Sequence, residues 1–243
     1  CKDAMSDYEI IDKNLRTAMR FFGRATGSGD VVTLPGVEAI YSGLNYGVFN
    51  IAMLSDNPPR DRGLELRVAE AAHYFKTRVP RWSFWLCEDR LDAATRRRAR
   101  EVLGDFGLRG ISHPPGMIAN TLLPTVRSLP QIEIRRVATA ADRRAFAEIT
   151  SISFEIPYTI GISVYSPEHA WQSEYQGYVA VAEGRVVAIT ATVAAAGVIG
   201  IYSLATHPSY RRMGYAEALV RGVVEQERKQ PLQLSQFYPN KHD

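Results

Sequence analysis

The chain has little cysteine and no long apolar run, and both absences narrow the kinds of protein it can be. It has 243 residues but only two cysteines, Cys1 and Cys87, too few for a disulfide framework. No apolar run approaches the ~18 residues of a membrane span. The opening residues do not resemble a signal peptide, and the Cys at position 1 indicates a trimmed or incomplete N-terminus. We therefore expect a cytoplasmic protein without membrane contact.

Metal-binding patterns and an excess of one charge are also missing. The five histidines are scattered, and no Cys/His group has the spacing of a zinc site. The 29 basic and 26 acidic residues give a formal net charge of +3. That balance is too even for a polyanion-binding protein. The densest basic run, four arginines between Asp92 and Glu101, is typical of a solvated helix face. We expect neither a metal nor a nucleic-acid partner.

What the chain does contain is two successive halves with a similar order of predicted elements. Its length suffices for two ordinary domains, and its 46% of hydrophobic residues is typical of globular proteins. In the first half, hydrophobic spacing and turn residues predict these elements: a helix at 8–22, a glycine-rich connector at 23–30, strands at 37–41 and 48–54, a helix from 64, a strand at 82–86, a helix at 92–103 and a strand within 111–123.

The second half follows a linker at 123–130. Its predicted elements are a strand at 132–137, a helix capped by Thr139 and Asp142, a loop segment at 154–168, strands at 178–182, 186–193 and 198–205, a helix from 216 and a strand at 232–237. Hairpins followed by a strand–loop–helix–strand crossover predict a mixed, mostly antiparallel sheet flanked by helices. The fold class is α/β (α+β), with domains at 1–130 and 131–243.

The segment from Ile201 to Ala216 carries the clearest chemical pattern. A strand ends near Thr206, Pro208 forces a turn, and a helix begins after Gly214. Unpaired amides at a helix N-terminus carry partial positive charge and favour a phosphate group. Gly214 has no Cβ in the way of an anion, and the arginines before it suit phosphate oxygens. The pattern predicts an anion-binding helix start that is fed by a strand.

This pattern, R-x-x-G-x-A, resembles the pyrophosphate-binding signature of the GNAT superfamily of acetyltransferases, Q/R-x-x-G-x-G/A. The resemblance covers roughly 132–237 and implies acetyl-CoA as co-substrate. It implies that Leu204, Ala205 and Thr206 face the pantetheine arm of acetyl-CoA. The residues that would hold the pyrophosphate are Arg211, Arg212, Met213, Gly214, Tyr215 and Ala216. The implied activity is an N-acetyltransferase that moves an acetyl group directly to an amine of a small molecule or peptide.

The first half resembles a degenerate copy of the same domain. Its Arg60-Asp61-Arg62-Gly63-Leu64-Glu65 keeps the glycine but places two carboxylates at the helix start. Carboxylates there stabilise the helix and repel a pyrophosphate. The segment from Gly104 to Leu108 resembles the corner that closes a GNAT domain. We therefore expect tandem GNAT-like halves of which only the second binds the cofactor.

The catalytic side departs from the family. Many GNAT enzymes carry a glutamate on the strand before the signature, where this chain has Tyr202 and Ser203. Tyr202 either relays a proton through water or serves in packing, and both interpretations stay open. The family's thiolate donor is a tyrosine on a later helix; the chain stops before it, and Tyr238 is the candidate substitute. The family's acceptor side corresponds to Glu155, Tyr158 and Tyr165.

Two other functions compete with an acetyltransferase. The missing strand carboxylate and the early stop favour a non-catalytic acyl-CoA-binding or interaction module. A nucleotide-binding loop at 23–29 is disfavoured, because it lacks Lys-Ser/Thr after the last glycine and does not follow a strand. The early stop also predicts an uncovered sheet edge, which either the first half or a second copy in a homo-oligomer covers.

Overall fold

A computed structural model describes residues 5–55 and 63–229 of the chain. Contacts divide the chain into two compact units, the first ending at Ile118 and the second beginning at Ala119. Each unit holds one four-stranded sheet with helices packed on it. The α/β class with two separate sheets is thus confirmed.

The first unit contains three helices and four strands. Their bounds are α1 Asp7–Ala25, β1 Asp30–Leu34, β2 Val37–Tyr41, β3 Ile51–Leu54, α2 Leu64–Lys76, β4 Ser83–Trp85 and α3 Ala93–Asp105. The sheet order is β1-β2-β3-β4, antiparallel except for the parallel pair β3 and β4. Its main core packs β2 and β3 against α2 and α3. The helix predicted at 92–103 is confirmed as α3, and Asp92 caps it by accepting hydrogen bonds from two backbone amides.

Two predictions for this part of the chain were wrong. Strand β1 begins at Asp30, the last residue of the predicted connector. Within the connector, Gly29 lies so close to Gly23 that a Cβ on Gly29 would be 2.3 Å from the carbonyl oxygen of Gly23. Gly23 and Gly29 therefore serve close packing, whereas a Cβ on Gly27 would have no neighbour within 4 Å. The strand predicted within 111–123 is absent from this described stretch. Pro114 and Pro115 cannot donate to a ladder, and most apolar side chains there are exposed.

The part of the second unit that the structure describes, up to residue 229, also has three helices and four strands. Their bounds are β5 Glu133–Arg136, α4 Ala140–Phe154, α5 Tyr158–Tyr165, β6 Tyr175–Ala182, β7 Arg185–Ala195, β8 Val198–Thr206 and α6 Tyr215–Arg228. The described sheet has the order β5-β6-β7-β8 and is antiparallel throughout. Both predicted hairpin turns have two consecutive residues with positive φ, Glu183 with Gly184 and Ala196 with Gly197. The predicted strand at 232–237 lies outside the described residues.

The predicted loop at 154–168 was wrong, because α5 occupies its centre. An eight-residue segment with several β-branched residues has little intrinsic helical preference. Its helix forms against α4, where Gly161 lies so close that a Cβ would be 2.2 Å from Ser151 Oγ. Tertiary packing therefore overrides local preference here.

The sheet of the second unit is covered on both faces. Alternation along β6 turns Tyr178 and Ala180 toward Leu219 and Val223 of α6. The other face holds an aromatic cluster of Phe146, Tyr165, Trp171 and Tyr175. Over the described ranges, no helix is long and apolar enough to span a membrane. Nor do the same residues bring together three side chains able to hold a metal ion.

The start of α4 yields a test of stability. The Thr139 hydroxyl and Asp142 cap each other, at 2.7 Å and 3.1 Å, and Arg135 pairs with the buried Asp142 carboxylate at 3.0 Å. Burial raises the pKa of Asp142, but the hydrogen bonds from Thr139 and Arg135 outweigh it and hold the pKa below the usual 3.8. A carboxyl with a depressed pKa adds stability above its unfolded pKa and loses it as the pH falls through the folded value.

We therefore predict that Asp142→Asn lowers the free energy of unfolding by about 1–2 kcal/mol at pH 7. The difference should shrink below pH 3.8, where the parent carboxyl becomes protonated too. Urea unfolding from pH 7 to pH 3 measures this. Glu183→Gln, in the exposed β6–β7 turn, is the control. An equal difference at both ends of the pH range would contradict the prediction.

Candidate functional site

The predicted anion-binding loop joins the end of β8 to the start of α6. After Thr206, His207 accepts a hydrogen bond from the amide of Ser209 at 3.3 Å and begins a short 3-10 turn. The chain then passes through two left-handed residues, Arg212 with φ of 65° and Gly214 with φ of 91°. These conformations turn the backbone into α6, so the strand leads directly to a helix N-terminus.

The N-terminus of α6 has no side-chain cap. Its cap residue is Gly214, and the first backbone bond of the helix runs from the amide of Ala218 to the carbonyl of Gly214 at 3.0 Å. The amides of Tyr215, Ala216 and Glu217 therefore have no acceptor within the helix. Such amides carry partial positive charge and form an anion site at a strand–helix junction.

Only glycine fits at position 214. Its φ is strained for any residue with a Cβ, and that Cβ would lie 3.0 Å from Pro130 Cδ. The same geometry places Arg127 at the loop, with its Nη2 atom 3.7 Å from the Cβ position of Gly214. Sequence reasoning missed Arg127, because only the folded connecting segment brings it to the helix start.

The two arginines of the signature have different surroundings. Arg211 donates to the carbonyl of Thr206 at 3.2 Å and reaches the hydroxyl of Ser153 at 3.5 Å. It braces the loop against the end of α4. Arg212 makes no hydrogen bond or ion pair with any residue that the structure describes, and Met213 is also exposed. The charges available to a phosphate are therefore those of Arg212 and Arg127.

Strand β8 leads into the loop through a bulge. Tyr202 pairs with Ala191 and Ala205 with Ile189, so two residues of β8 oppose Thr190 alone. Ser203 in the bulge has a φ of 49°. Such a bulge redirects the side chains around it. Among the described strands β8 is at the edge of its sheet, which leaves its outer backbone groups available to an extended ligand. Leu204 is 39% exposed there, and Ala205 is buried.

The predicted catalytic residue Tyr202 lies beside a chain of buried hydroxyl groups. The hydroxyls of Tyr175 and Ser203 are 2.7 Å apart, and Tyr165 also hydrogen-bonds to Ser203. Burial, with a smaller effect of Tyr175, raises the pKa of Tyr202 far above its ordinary value. A hydroxyl with a raised pKa stays protonated at neutral pH, so it can donate a hydrogen bond. The other candidate, Tyr238, lies outside the described residues.

The three predicted acceptor-side residues do not lie together. Tyr165 is 1% exposed and belongs to the aromatic cluster. Glu155 is exposed at the left-handed C-cap of α4. Tyr158 lines an open cleft of about 460 Å³ between the end of α4 and the start of α5. The other lining residues are Glu148, Ser151, Ile152 and Ile156. Sequence reasoning missed Glu148 and Ser151, since both lie on a face of α4 that only the packing of α5 turns into a cleft.

The corresponding place in the first unit is arranged differently. Gly63, at the start of α2, has an extended φ of −62°, and the carboxylate of Glu65 would lie 2.9 Å from a Cβ on it. The carbonyls of Leu54 and Ser55, at the end of β3, accept hydrogen bonds from Arg90 at 2.9 Å and 2.6 Å. These carbonyl groups are thus hydrogen-bonded within the unit. Arg60, Asp61 and Arg62 lie outside the described residues.

Comparisons with known proteins agree with the geometry. Residues 143–240 match the acetyltransferase (GNAT) family. A GCN5-related N-acetyltransferase from Kribbella flavida has the same fold with a TM-score of 0.59 at 18% identity, over 91% of this chain and 80% of its own. An aminoglycoside acetyltransferase from an uncultured soil metagenomic sample matches 42% of this chain and 74% of its own, with 15% identity and a TM-score of 0.32. No curated protein matches the sequence.

The family match at 143–240 falls in the second half of the chain, and it supports acyl transfer as the chemistry of that half. The family generally uses acetyl-CoA, and the uncapped start of α6 suits the phosphate groups of that molecule.

Substitutions can test the contact between α4 and α5, the two helices that form the cleft. Ser151 Oγ is buried without a hydrogen-bond partner, directly against Gly161. We predict that Gly161→Ala lowers the free energy of unfolding by about 1–3 kcal/mol, because its Cβ would overlap that oxygen. Ser151→Ala removes an unpaired hydroxyl and should be nearly neutral.

The double variant should recover most of the loss, since the nearest side-chain atom is then Ser151 Cβ at 3.6 Å. Denaturant unfolding of the four proteins gives the coupling energy between the two positions. Additive effects would show that the two helices do not meet at this contact.

Proposed function

We propose that the second half is an acetyl-CoA-dependent N-acetyltransferase that acetylates an amine directly. The observation that carries this proposal is the uncapped start of α6 behind the left-handed Gly214, at the end of a bulged edge strand. The free amides of Tyr215 and Ala216, with the cationic side chains of Arg212 and Arg127, suit a diphosphate. The exposed backbone of β8 suits the extended pantetheine arm.

The residues that would hold the co-substrate follow from this geometry. Leu204, Ala205 and Thr206 would lie along the pantetheine arm, and Arg211 through Ala216 would surround the pyrophosphate. Acetyl-CoA brings an activated thioester, so the protein needs chiefly to hold two reactants in one orientation. The amine nitrogen forms a bond to the acetyl carbon, the carbon–sulfur bond breaks, and the amine's surplus proton balances the thiolate as free thiol.

Proton transfer within the site would run through hydroxyl groups. The strand carboxylate of many family members is absent at Tyr202 and Ser203, and the raised pKa of Tyr202 keeps its hydroxyl protonated and able to donate a hydrogen bond. We propose that Tyr202 donates toward the leaving thiolate, with Ser203 and Tyr175 holding the adjoining hydrogen bonds. Before it attacks, the acceptor ammonium loses one proton to solvent or to a group of the cleft.

We propose further that the first half contributes no cofactor site. Glu65 places a carboxylate over the start of α2, and Arg90 uses the strand-end carbonyls of Leu54 and Ser55. An anionic ligand at this position would meet the carboxylate of Glu65, which pairs with Arg98 at 3.2 Å, beside the first amides of the helix.

The contrast between Glu65 and Ala216 defines a direct test of the cofactor site. We predict that Ala216→Glu weakens acetyl-CoA binding at least about 100-fold, because it places a carboxylate where the pyrophosphate would lie. An acidic residue in the first turn favours the helix itself, so the fold should persist. Ala216→Gln, of the same size without charge, should weaken binding far less.

Calorimetric titration of the three proteins with acetyl-CoA measures this, with unfolding curves as the check on folding. Equal affinities for the Glu and Gln variants would place the cofactor elsewhere. Binding without thiol release for any amine would favour the alternative function, a non-catalytic acyl-CoA-binding module, which the missing strand carboxylate also favours.

Arg127 provides a second, independent test of the same site. We predict that Arg127→Ala weakens acetyl-CoA binding by about 10-fold, because one charge-assisted contact to phosphate is lost. The loss should fall as salt rises, since the side chain is exposed. Arg144→Ala, an exposed arginine on α4, is the matched control. Unchanged affinity at low salt would remove Arg127 from the site.

A further inference from the structure

The cleft between α4 and α5 has properties that select one class of acceptor, an inference that rests on the proposed acetyl transfer. Its volume of about 460 Å³ suits a small molecule. It adjoins the cofactor loop, because Ser153, next to the lining residue Ile152, is the residue that Arg211 reaches at 3.5 Å. The end of α4 that borders the cleft is thus in contact with the cofactor loop.

The cleft contains one carboxylate that nothing in the described chain neutralises. Glu148 is exposed and makes no hydrogen bond or ion pair with a described residue. Of the acids nearby, Glu168 pairs with Arg143, and the exposed Glu155 is not among the residues that line the cleft. The nearest loop arginine, Arg211, is held by Thr206 and Ser153. A single negative charge is therefore available to a cation in the cleft.

The rest of the lining is mainly apolar. Ile152 is 46% exposed and Tyr158 is 50% exposed, while Ile156 closes the floor at 8%. Exposed apolar walls of this kind gain from contact with an apolar ligand. The ring of Tyr158 also offers an aromatic face to a cation or to another ring.

We propose that the acceptor is a primary amine with one positive charge and an apolar body. Its ammonium group pairs with Glu148, and its body lies against Ile152, Ile156 and Tyr158. One carboxylate does not balance the several charges of a polyamine or an aminoglycoside. An α-amino acid brings a carboxylate that Glu148 repels. Glu148 and the apolar wall are thus specificity-determining residues.

The experiment compares steady-state acetylation of three probes: phenethylamine, spermidine and glycine. We expect phenethylamine to have a kcat/KM at least about 10-fold above the other two. Glu148→Gln should raise the Michaelis constant for phenethylamine roughly 10-fold with little change in kcat, because a charge-assisted hydrogen bond is lost. Phenylacetic hydrazide, similar in shape but uncharged at pH 7, should show no such increase.

Matched variants separate charge from shape. Glu183→Gln changes an exposed, unpaired carboxylate of the distant β6–β7 turn and should leave every constant unchanged. Ile152→Ser should raise the Michaelis constant for phenethylamine while leaving that for ethylamine unaffected, because only the larger amine reaches the apolar wall. Both side chains are exposed, so neither variant should disturb folding.

Direct titration of the protein with phenethylamine keeps this inference separable from the proposed function. Binding that weakens in Glu148→Gln supports the cleft even if no acetyl transfer occurs, in which case the proposed activity alone fails. Preference for spermidine or glycine, or equal affinity of the parent and Glu148→Gln for phenethylamine, would overturn the assignment.

Discussion

The geometry of the site depends on one backbone constraint, the left-handed conformation at Gly214. This residue turns the chain from the strand end into α6 and leaves the first amides of the helix without a cap. It also lies against Pro130, so the connecting segment packs where any side chain at position 214 would stand. Because the segment that contains Pro130 packs against Gly214, the side chain of Arg127 also lies near the start of α6. A free helix start, a close contact and an added cation thus follow from one missing Cβ.

The bulge in β8 is the second feature on which the site depends. It lets Tyr202 and Ser203 both face the aromatic cluster, and it leaves Leu204 exposed at the sheet edge. A regular strand would place alternate residues on opposite faces and could not bring these groups together. The Tyr175–Ser203 hydrogen bond fixes the arrangement from inside the core.

The two units differ in a few local contacts at the place where a strand leads into a helix. Both have a strand leading to a helix that begins beside a glycine. In the first, the glycine is extended and a glutamate covers the helix start, while Arg90 uses the carbonyls at the strand end. In the second, those groups remain available. The conformation of the glycine, the side chain in the first helical turn and the use of the strand-end carbonyls differ between the two units, and such local groups decide what a unit can bind.

Local patterns determined much of this protein before folding is considered. Hydrophobic alternation located β6, β7 and β8, and the Thr139–Asp142 and Asp92 caps fixed where two helices begin, because these signals act within a few residues. The anion-binding loop at 211–216 could be predicted from the sequence for the same reason. Only tertiary structure decided the rest. Gly161 of α5 packs against Ser151 of α4, Glu148 becomes part of the cleft only when these two helices pack, and Arg127 reaches the loop through a contact distant in sequence. No local preference encodes such contacts, since their energy exists only once the elements have packed.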